Sequence, residues 1–158
     1  MSEELTPAAV VRAHSQAKTS GDITGALAWC HQDVIFETIA FQSAAHGIDA
    51  ARRQFQGFLG AFPDYSVQLE DLREMDDLVL GVGRIAGTMK GPLAGIEPTG
   101  RAFDLPFVCL WYVHDGLITL ERFFYDFNEM CEHLGIDTTT AANRFRTWRE
   151  RADAMIAR

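Results

Sequence analysis

Cysteine is scarce in this 158-residue chain. Cys30, Cys109 and Cys131 are too few and too scattered for a disulfide framework or a zinc motif. Positive charge is short as well: Lys and Arg number 14 against 22 Asp and Glu, a formal net charge of −8. That balance excludes the basic face of a nucleic-acid binder and the polybasic patch of a membrane-surface protein. No apolar run approaches the about 20 residues of a membrane span. The start, Met1-Ser2-Glu3-Glu4, is acidic and does not read as a secretory or transit signal. Repeats, linkers and low-complexity tracts are lacking, so residues 1–158 read as one domain. These absences predict a cytoplasmic protein of a reducing compartment, with no nucleic-acid or membrane partner.

What is present can build a core. Hydrophobic residues make up 47% of the chain and charged residues 23%, the balance of an ordinary globular domain. Thr6-Pro7 opens a first helix as N-cap and first helical residue, with Val10, Val11, Ala13, His14 and Ala17 on its buried face. A short helix is expected from Asp22 to Cys30, a strand over Val34–Thr38, and a third helix over Ile48–Phe62 with Ala51, Phe55, Phe58 and Leu59 at helical spacing. Alternation then predicts strands at Tyr65–Leu72, Leu78–Met89, Phe103–Val113 and Leu117–Tyr125, the last two joined by a His114-Asp115-Gly116 hairpin turn. A helix from Phe127 to Leu134 closes on Gly135. A final helix, Thr139–Ile156, carries an apolar stripe of Ala141, Phe145, Trp148, Ala152 and Met155, with Arg144, Arg146, Arg149 and Arg151 on a solvated face.

Helices, then a meander of strands, then helices imply an α+β fold: a cone-shaped, curved antiparallel sheet packed over the N-terminal helices, with an extra C-terminal helix. Such a cone is a natural small-molecule pocket.

Four segments carry a resemblance: Phe62-Pro63-Asp64, Gly87-Thr88-Met89-Lys90-Gly91, Gly95-Ile96-Glu97-Pro98-Thr99-Gly100, and Asp115-Gly116-Leu117-Ile118 leading to Tyr125-Asp126. Glu132-His133-Leu134-Gly135 adds to them. Over Thr6–Ile136 the sequence resembles the SnoaL-like polyketide cyclases of the nuclear-transport-factor-2-like superfamily, and residues 136–158 form a helical extension beyond it. The resemblance implies a dimeric cone-shaped barrel with no metal or organic cofactor. It also implies aldol-type acid–base chemistry by an aspartate, with a histidine nearby. The same fold hosts epoxide hydrolases, ketosteroid isomerases and non-catalytic relatives, so fold alone does not select a reaction.

Asp126 matches the family aspartate, but Asp126-Phe127-Asn128-Glu129 is also a capping-box pattern that opens a helix. Strand parity sets Glu121 against it. One face of the last strand holds Thr119, Glu121, Phe123 and Tyr125; the other holds Leu120, Arg122, Phe124 and Asp126. Glu121 is therefore a rival acid–base candidate. Arg84 lies on the face of its strand that carries Leu80, Val82 and Ala86, the more apolar one. It is expected to pair with Glu121, Asp126 or an anionic substrate oxygen. Phe103, Phe107, Trp111, Phe123 and Tyr125 are expected to line a cavity suited to a flat hydrophobic ligand, and His14 can reach it from the first helix.

Rival chemistries lack residues. Ala86 and Phe123 stand where the resembling epoxide hydrolases place carboxylates. Thr38, beside an oppositely facing Glu37, stands where the isomerases place their base. Met89 replaces a histidine common after Gly-Thr in the cyclases. His31, His46, His114 and His133 show no metal-ligand spacing. Gly81-Val82-Gly83 lacks the strand–turn–helix context of a nucleotide site, and Gly91–Gly100 reads as a flap at the cavity mouth. Two functions stand: a small cofactor-independent acid–base enzyme acting on a hydrophobic oxygenated compound, or a non-catalytic ligand-binding or scaffold homodimer.

Overall fold

The Thr6 hydroxyl accepts a hydrogen bond from Ala9 N at 3.2 Å, and with Pro7 it starts α1, Pro7–Thr19. A computed structural model describes residues 5–156, with side chains described as far as Arg151. The acidic first four residues and the side chains of Ala152 and Met155 lie outside the described residues. The buried positions of α1 are Val10, Val11, His14, Ser15 and Lys18, one stripe at helical spacing that runs from apolar to polar along the helix. Asp22 caps α2, Ile23–Leu27, through the Gly25 amide at 2.8 Å.

The chain continues through β1 (Cys30–Thr38), a one-turn 3-10 helix (Ile39–Phe41), β2 (Ser43–His46) and α3 (Ile48–Ala61). The meander of β3 (Ser66–Met75), β4 (Leu78–Thr88), β5 (Ala102–His114) and β6 (Leu117–Phe124) follows. Two helices end it, α4 (Phe127–Leu134) and α5 (Thr138–Ile156). The six strands form one sheet in the order β2-β1-β6-β5-β4-β3. All neighbours are antiparallel except β1 and β6, which run parallel because no hairpin joins them. The sheet curls around α1 and α3, giving the expected α+β architecture.

Which face of each strand points inward is decided by large residues on β5. Phe103, Leu105, Phe107, Cys109, Trp111 and Val113 are all buried. Opposite them β4 presents Val79, Gly81, Gly83, Ile85 and Gly87. A Cβ at Gly81 would come within 2.5 Å of the Trp111 ring, and one at Gly87 within 3.2 Å of Phe103. The glycines are thus the inner face, hollowed to admit aromatic rings. This corrects the expectation for Arg84. The Leu80-Val82-Arg84-Ala86 face points outward, and the Arg84 guanidinium pairs with Asp104 at 2.7 Å, half exposed.

Two irregularities shape the cone. The β3–β4 register shifts between Leu69 and Asp71, and the β5–β6 register shifts between Tyr112 and Val113, and such bulges bend and re-aim strands. The second shift places Ile118 and Glu121 both on the inner side, opposite Val113 and Trp111. At the rim, Asp64 accepts from the Thr88 amide and hydroxyl, each at 2.7 Å. That clamp ties the end of α3 to the end of β4 and explains why Phe-Pro-Asp and Gly-Thr occur in one sequence.

Candidate functional site: a buried Lys–Glu–His cluster on an aromatic cavity

Three elements converge inside the cone. Helix α1 presents His14 and Lys18 one turn apart on its buried stripe, β6 presents Glu121, and β5 presents Trp111 directly opposite Glu121. Glu121 is 5% exposed and His14 is fully buried. The Lys18 ammonium donates to both Glu121 oxygens, at 2.6 and 2.8 Å. The Trp111 indole N–H donates to Oε2 at 2.8 Å. His14 places Nε2 3.0 Å from the same oxygen and Nδ1 2.8 Å from the Ala26 carbonyl.

The electrostatics follow from this packing. Burial pushes the Glu121 carboxyl up, but the Lys18 charge and the hydrogen bonds that Lys18 donates outweigh it and hold the group well below the ordinary carboxylate range. Burial, reinforced by Lys18, pushes the His14 imidazole below its ordinary 6.5. His14 is therefore neutral at rest. Its Nδ1 must carry the proton, because a carbonyl can only accept. The Nε2 lone pair then faces a carboxylate oxygen, and the His14–Glu121 contact can take up one further proton. Once protonated, the ring donates to both neighbours.

Lys18 and Glu121 form part of the wall of a cavity of about 400 Å³, within the size range of small-molecule sites. Phe36, Phe41, Phe55, Phe58, Phe123 and Tyr125 supply most of the remaining wall. The Lys18 ammonium lies 5.4, 4.6 and 5.7 Å from the ring centres of Phe36, Phe55 and Phe123, where the ring faces attract a cation. The ammonium contacts both Glu121 oxygens, and its three N–H bonds give it one donor more than those two contacts use. Tyr65 and Tyr125 also line the cavity. Burial raises both phenols well above their ordinary value, so both stay protonated and can donate to a ligand oxygen.

The sequence-based candidates divide sharply. Glu121, Phe123 and Tyr125 line the cavity. His14 and Trp111 stand behind the wall and reach it through Glu121. Phe107 stacks on the back of Phe123 at 4.7 Å, and Phe103 packs edge-on against Phe62 at 4.9 Å, in the core rather than the cavity. Asp126 is a correction: it is exposed, and its carboxylate caps α4 by accepting from Glu129 N at 2.9 Å. The strand direction that turns Glu121 inward turns Asp126 out. The expected partnership of Arg84 with Glu121 is replaced by Lys18, which the sequence reading passed over. Its signal was there, four residues after His14 on the same stripe.

Burial pushes the Cys30 thiol up to about 12 and raises Cys109 and Cys131 too, which disfavours the thiolate form that a nucleophile needs. Among the described residues, no group of three or more His, Cys, Asp or Glu side chains is placed to hold a metal ion. Nor is any helix long and apolar enough to cross a membrane.

No curated protein matches the sequence. Solved structures do match the fold. A SnoaL-like protein from Jannaschia sp. CCS1 is 21% identical, with a TM-score of 0.76 over 87% of this chain and 96% of that one. IdmH from Streptomyces antibioticus is 22% identical, TM-score 0.70, over 83% and 99%. TerC, co-crystallised with polyporic acid, is 18% identical, TM-score 0.70, over 82% and 99%. At such identities the likeness is one of fold, that of the nuclear-transport-factor-2-like proteins. The family assignment comes from the sequence itself: residues 8–134, well over half the chain, match the family model of the SnoaL-like polyketide cyclases. With that match and this fold, the chain belongs to the SnoaL-like polyketide cyclase family.

Proposed function

We propose that this protein is an acid–base enzyme that moves a proton at a carbon next to a carbonyl in a hydrophobic, oxygenated, polyketide-like molecule. The observation that carries the reading is the buried Lys18–Glu121 pair, backed by His14, on the wall of an aromatic cavity. The ligand carbonyl accepts the free Lys18 N–H, with Tyr65 or Tyr125 as a second donor. Glu121 takes the neighbouring C–H proton, whose bonding electrons become the enolate. The proton settles at His14 Nε2, where the imidazolium donates to both Glu121 and Ala26. The negative enolate beside Lys18 balances the new positive charge on His14, so the dry site gains no net charge. In a cyclisation the enolate carbon bonds to a second carbonyl carbon, and the stored proton goes to the resulting alkoxide. TerC with polyporic acid supports an organic ligand in this fold.

The test is hydrogen–deuterium exchange at the methyl group of 2-acetylnaphthalene in D2O, followed by NMR. The protein should accelerate exchange, and Glu121→Gln should lower the rate by about 100-fold or more, in the range of general-base catalysis. Equal rates for the two proteins would refute the role of Glu121.

A second reading, non-catalytic ligand binding, is favoured by one observation. Three hydrogen bonds from Lys18 and Trp111 converge on the Glu121 carboxylate, as in a structural polar network. It predicts ketone binding with no exchange by the wild-type protein. Under either reading we propose a homodimer through the outer sheet face. Val82, Val108 and Phe124 form a row across three strands there, 38%, 43% and 37% exposed, beside the 43% exposed Tyr112. Val108→Lys should convert a sedimenting dimer to monomer; a wild-type monomer would overturn the assignment.

A further inference from the structure

The C-terminal helix lies outside the family match, which ends at residue 134, yet it contributes Phe145 and Trp148 to the cavity wall. Its position is built, not incidental. Gly135 ends α4 in the left-handed region at φ 69°. Asp137 then accepts from the Thr140 amide at 2.8 Å to start α5. Phe145 stacks on Phe41 with centroids 4.3 Å apart and planes 10° from parallel, and meets Phe127 edge-on at 5.9 Å. One turn on, the Arg149 guanidinium donates to the Phe41 carbonyl. On the other side Arg144 reaches the turn at Gly95, 3.8 Å from where a Cβ would stand. Helix α5 therefore spans two rims of the cavity mouth, the 39–41 turn and the 92–95 turn.

A ladder of rings joins this helix to the polar cluster. From Lys18 the contacts run to Phe123 at 5.7 Å, Phe123 to Tyr125 at 5.9 Å, Tyr125 to Phe41 at 5.8 Å, and Phe41 to Phe145 at 4.3 Å. A ligand whose carbonyl meets Lys18 thus has its remote end against α5. Phe145 is buried, whereas Trp148 lines the cavity and is 45% exposed. Its indole faces both the cavity and the solvent, the placement of a ring that covers a ligand.

We propose that α5 is the specificity element of this cavity: Phe145 and Trp148 form an aromatic platform that selects elongated, flat, multi-ring ligands by holding the end remote from the Lys18–Glu121 pair. The inference rests on the ligand placement proposed above, and the experiment separates the two. Equilibrium dialysis of the full chain would measure affinity for acetophenone, 2-acetylnaphthalene and 2-acetylanthracene, which share one carbonyl and differ only in ring count. The wild-type protein should bind more tightly with each added ring. Trp148→Ala empties no core, so it carries the test. It should lower the ratio of three-ring to one-ring affinity by about tenfold, the scale of one lost aromatic contact. Trp148→Phe should restore much of that ratio. A ratio unchanged in Trp148→Ala would overturn the role of α5 while leaving the polar site standing. A wild-type protein that binds none of the three ketones would refute the ligand placement itself and this inference with it.

Discussion

Replacing Lys18 by methionine keeps an unbranched side chain of similar length and removes the ammonium that lies among Phe36, Phe55 and Phe123. It strips Glu121 of two hydrogen bonds, at 2.6 and 2.8 Å, and of its counter-ion, and the carboxylate is left 5% exposed. Breaking a buried pair in this way costs about 3–5 kcal/mol at neutral pH. The pH dependence discriminates further. In the wild-type protein Glu121 lies below its ordinary 4.5 and His14 below its ordinary 6.5. Both contributions are complete above those values and are lost as pH falls through the folded ones, so acid destabilises the native protein from about pH 6.5 downward. In Lys18→Met the largest attraction on Glu121 is gone while its burial remains, so its folded value rises above the unfolded one. That contribution is present at low pH and lost as pH rises. The penalty of the substitution must therefore shrink on acidification from pH 7 to pH 4. The pair Lys18→Met with Glu121→Gln, which removes both charges, should recover most of the loss at pH 7. Urea denaturation followed by circular dichroism measures all three proteins. A penalty under about 1 kcal/mol at pH 7, or one independent of pH, would refute the buried-pair account.

Other substitutions probe separate parts of the structure. Asp126→Ala should cost about 1 kcal/mol, the value of a helix cap, and leave ketone exchange within twofold of wild type; a loss of exchange as large as that of Glu121→Gln would return Asp126 to the site. Gly81→Ala drives a Cβ to 2.5 Å from Trp111 and should destabilise by about 1–3 kcal/mol, read from the urea midpoint. Asp64→Ala unties β4 from α3 at an exposed position and should cost only about 1 kcal/mol; no change in the midpoint would mean the clamp contributes nothing.

The architecture was legible because its signals are local. The Thr6-Pro7 start, the hairpin at Asp115-Gly116 and the alternation of Phe103 to Val113 each announce themselves within a few residues. The inner face of β4 was not legible, since counting apolar side chains favours Leu80, Val82 and Ala86 over Gly81, Gly83 and Gly87. Only the bulk of Trp111, Phe107 and Phe103 on the neighbouring strand makes the glycine face the inner one. The same mistake of face placed Arg84 inside. The choice between Glu121 and Asp126 was correctly posed as a question of parity, but the bulge that turns Glu121 beside Trp111 has no sequence mark. Lys18 was hidden for another reason. A lysine near the end of an amphipathic helix is usually solvated, and its acceptor lies 103 positions away.

That separation bears on how the protein comes to be made. Bringing Lys18 to Glu121 closes a loop of 103 residues, which costs about 4 kcal/mol of chain entropy beyond a constant. A ribosome delivers α1 long before β6. Until β6 emerges, Lys18 and His14 have no carboxylate to meet, and the apolar half of α1 has no completed sheet to cover it. The nascent chain can pack its first helix on α2 and then on β3, but the polar cluster waits for β6 and forms late. Any truncation before residue 121 removes the cluster as a whole, so a partial product retains neither the charge pair nor the cavity floor.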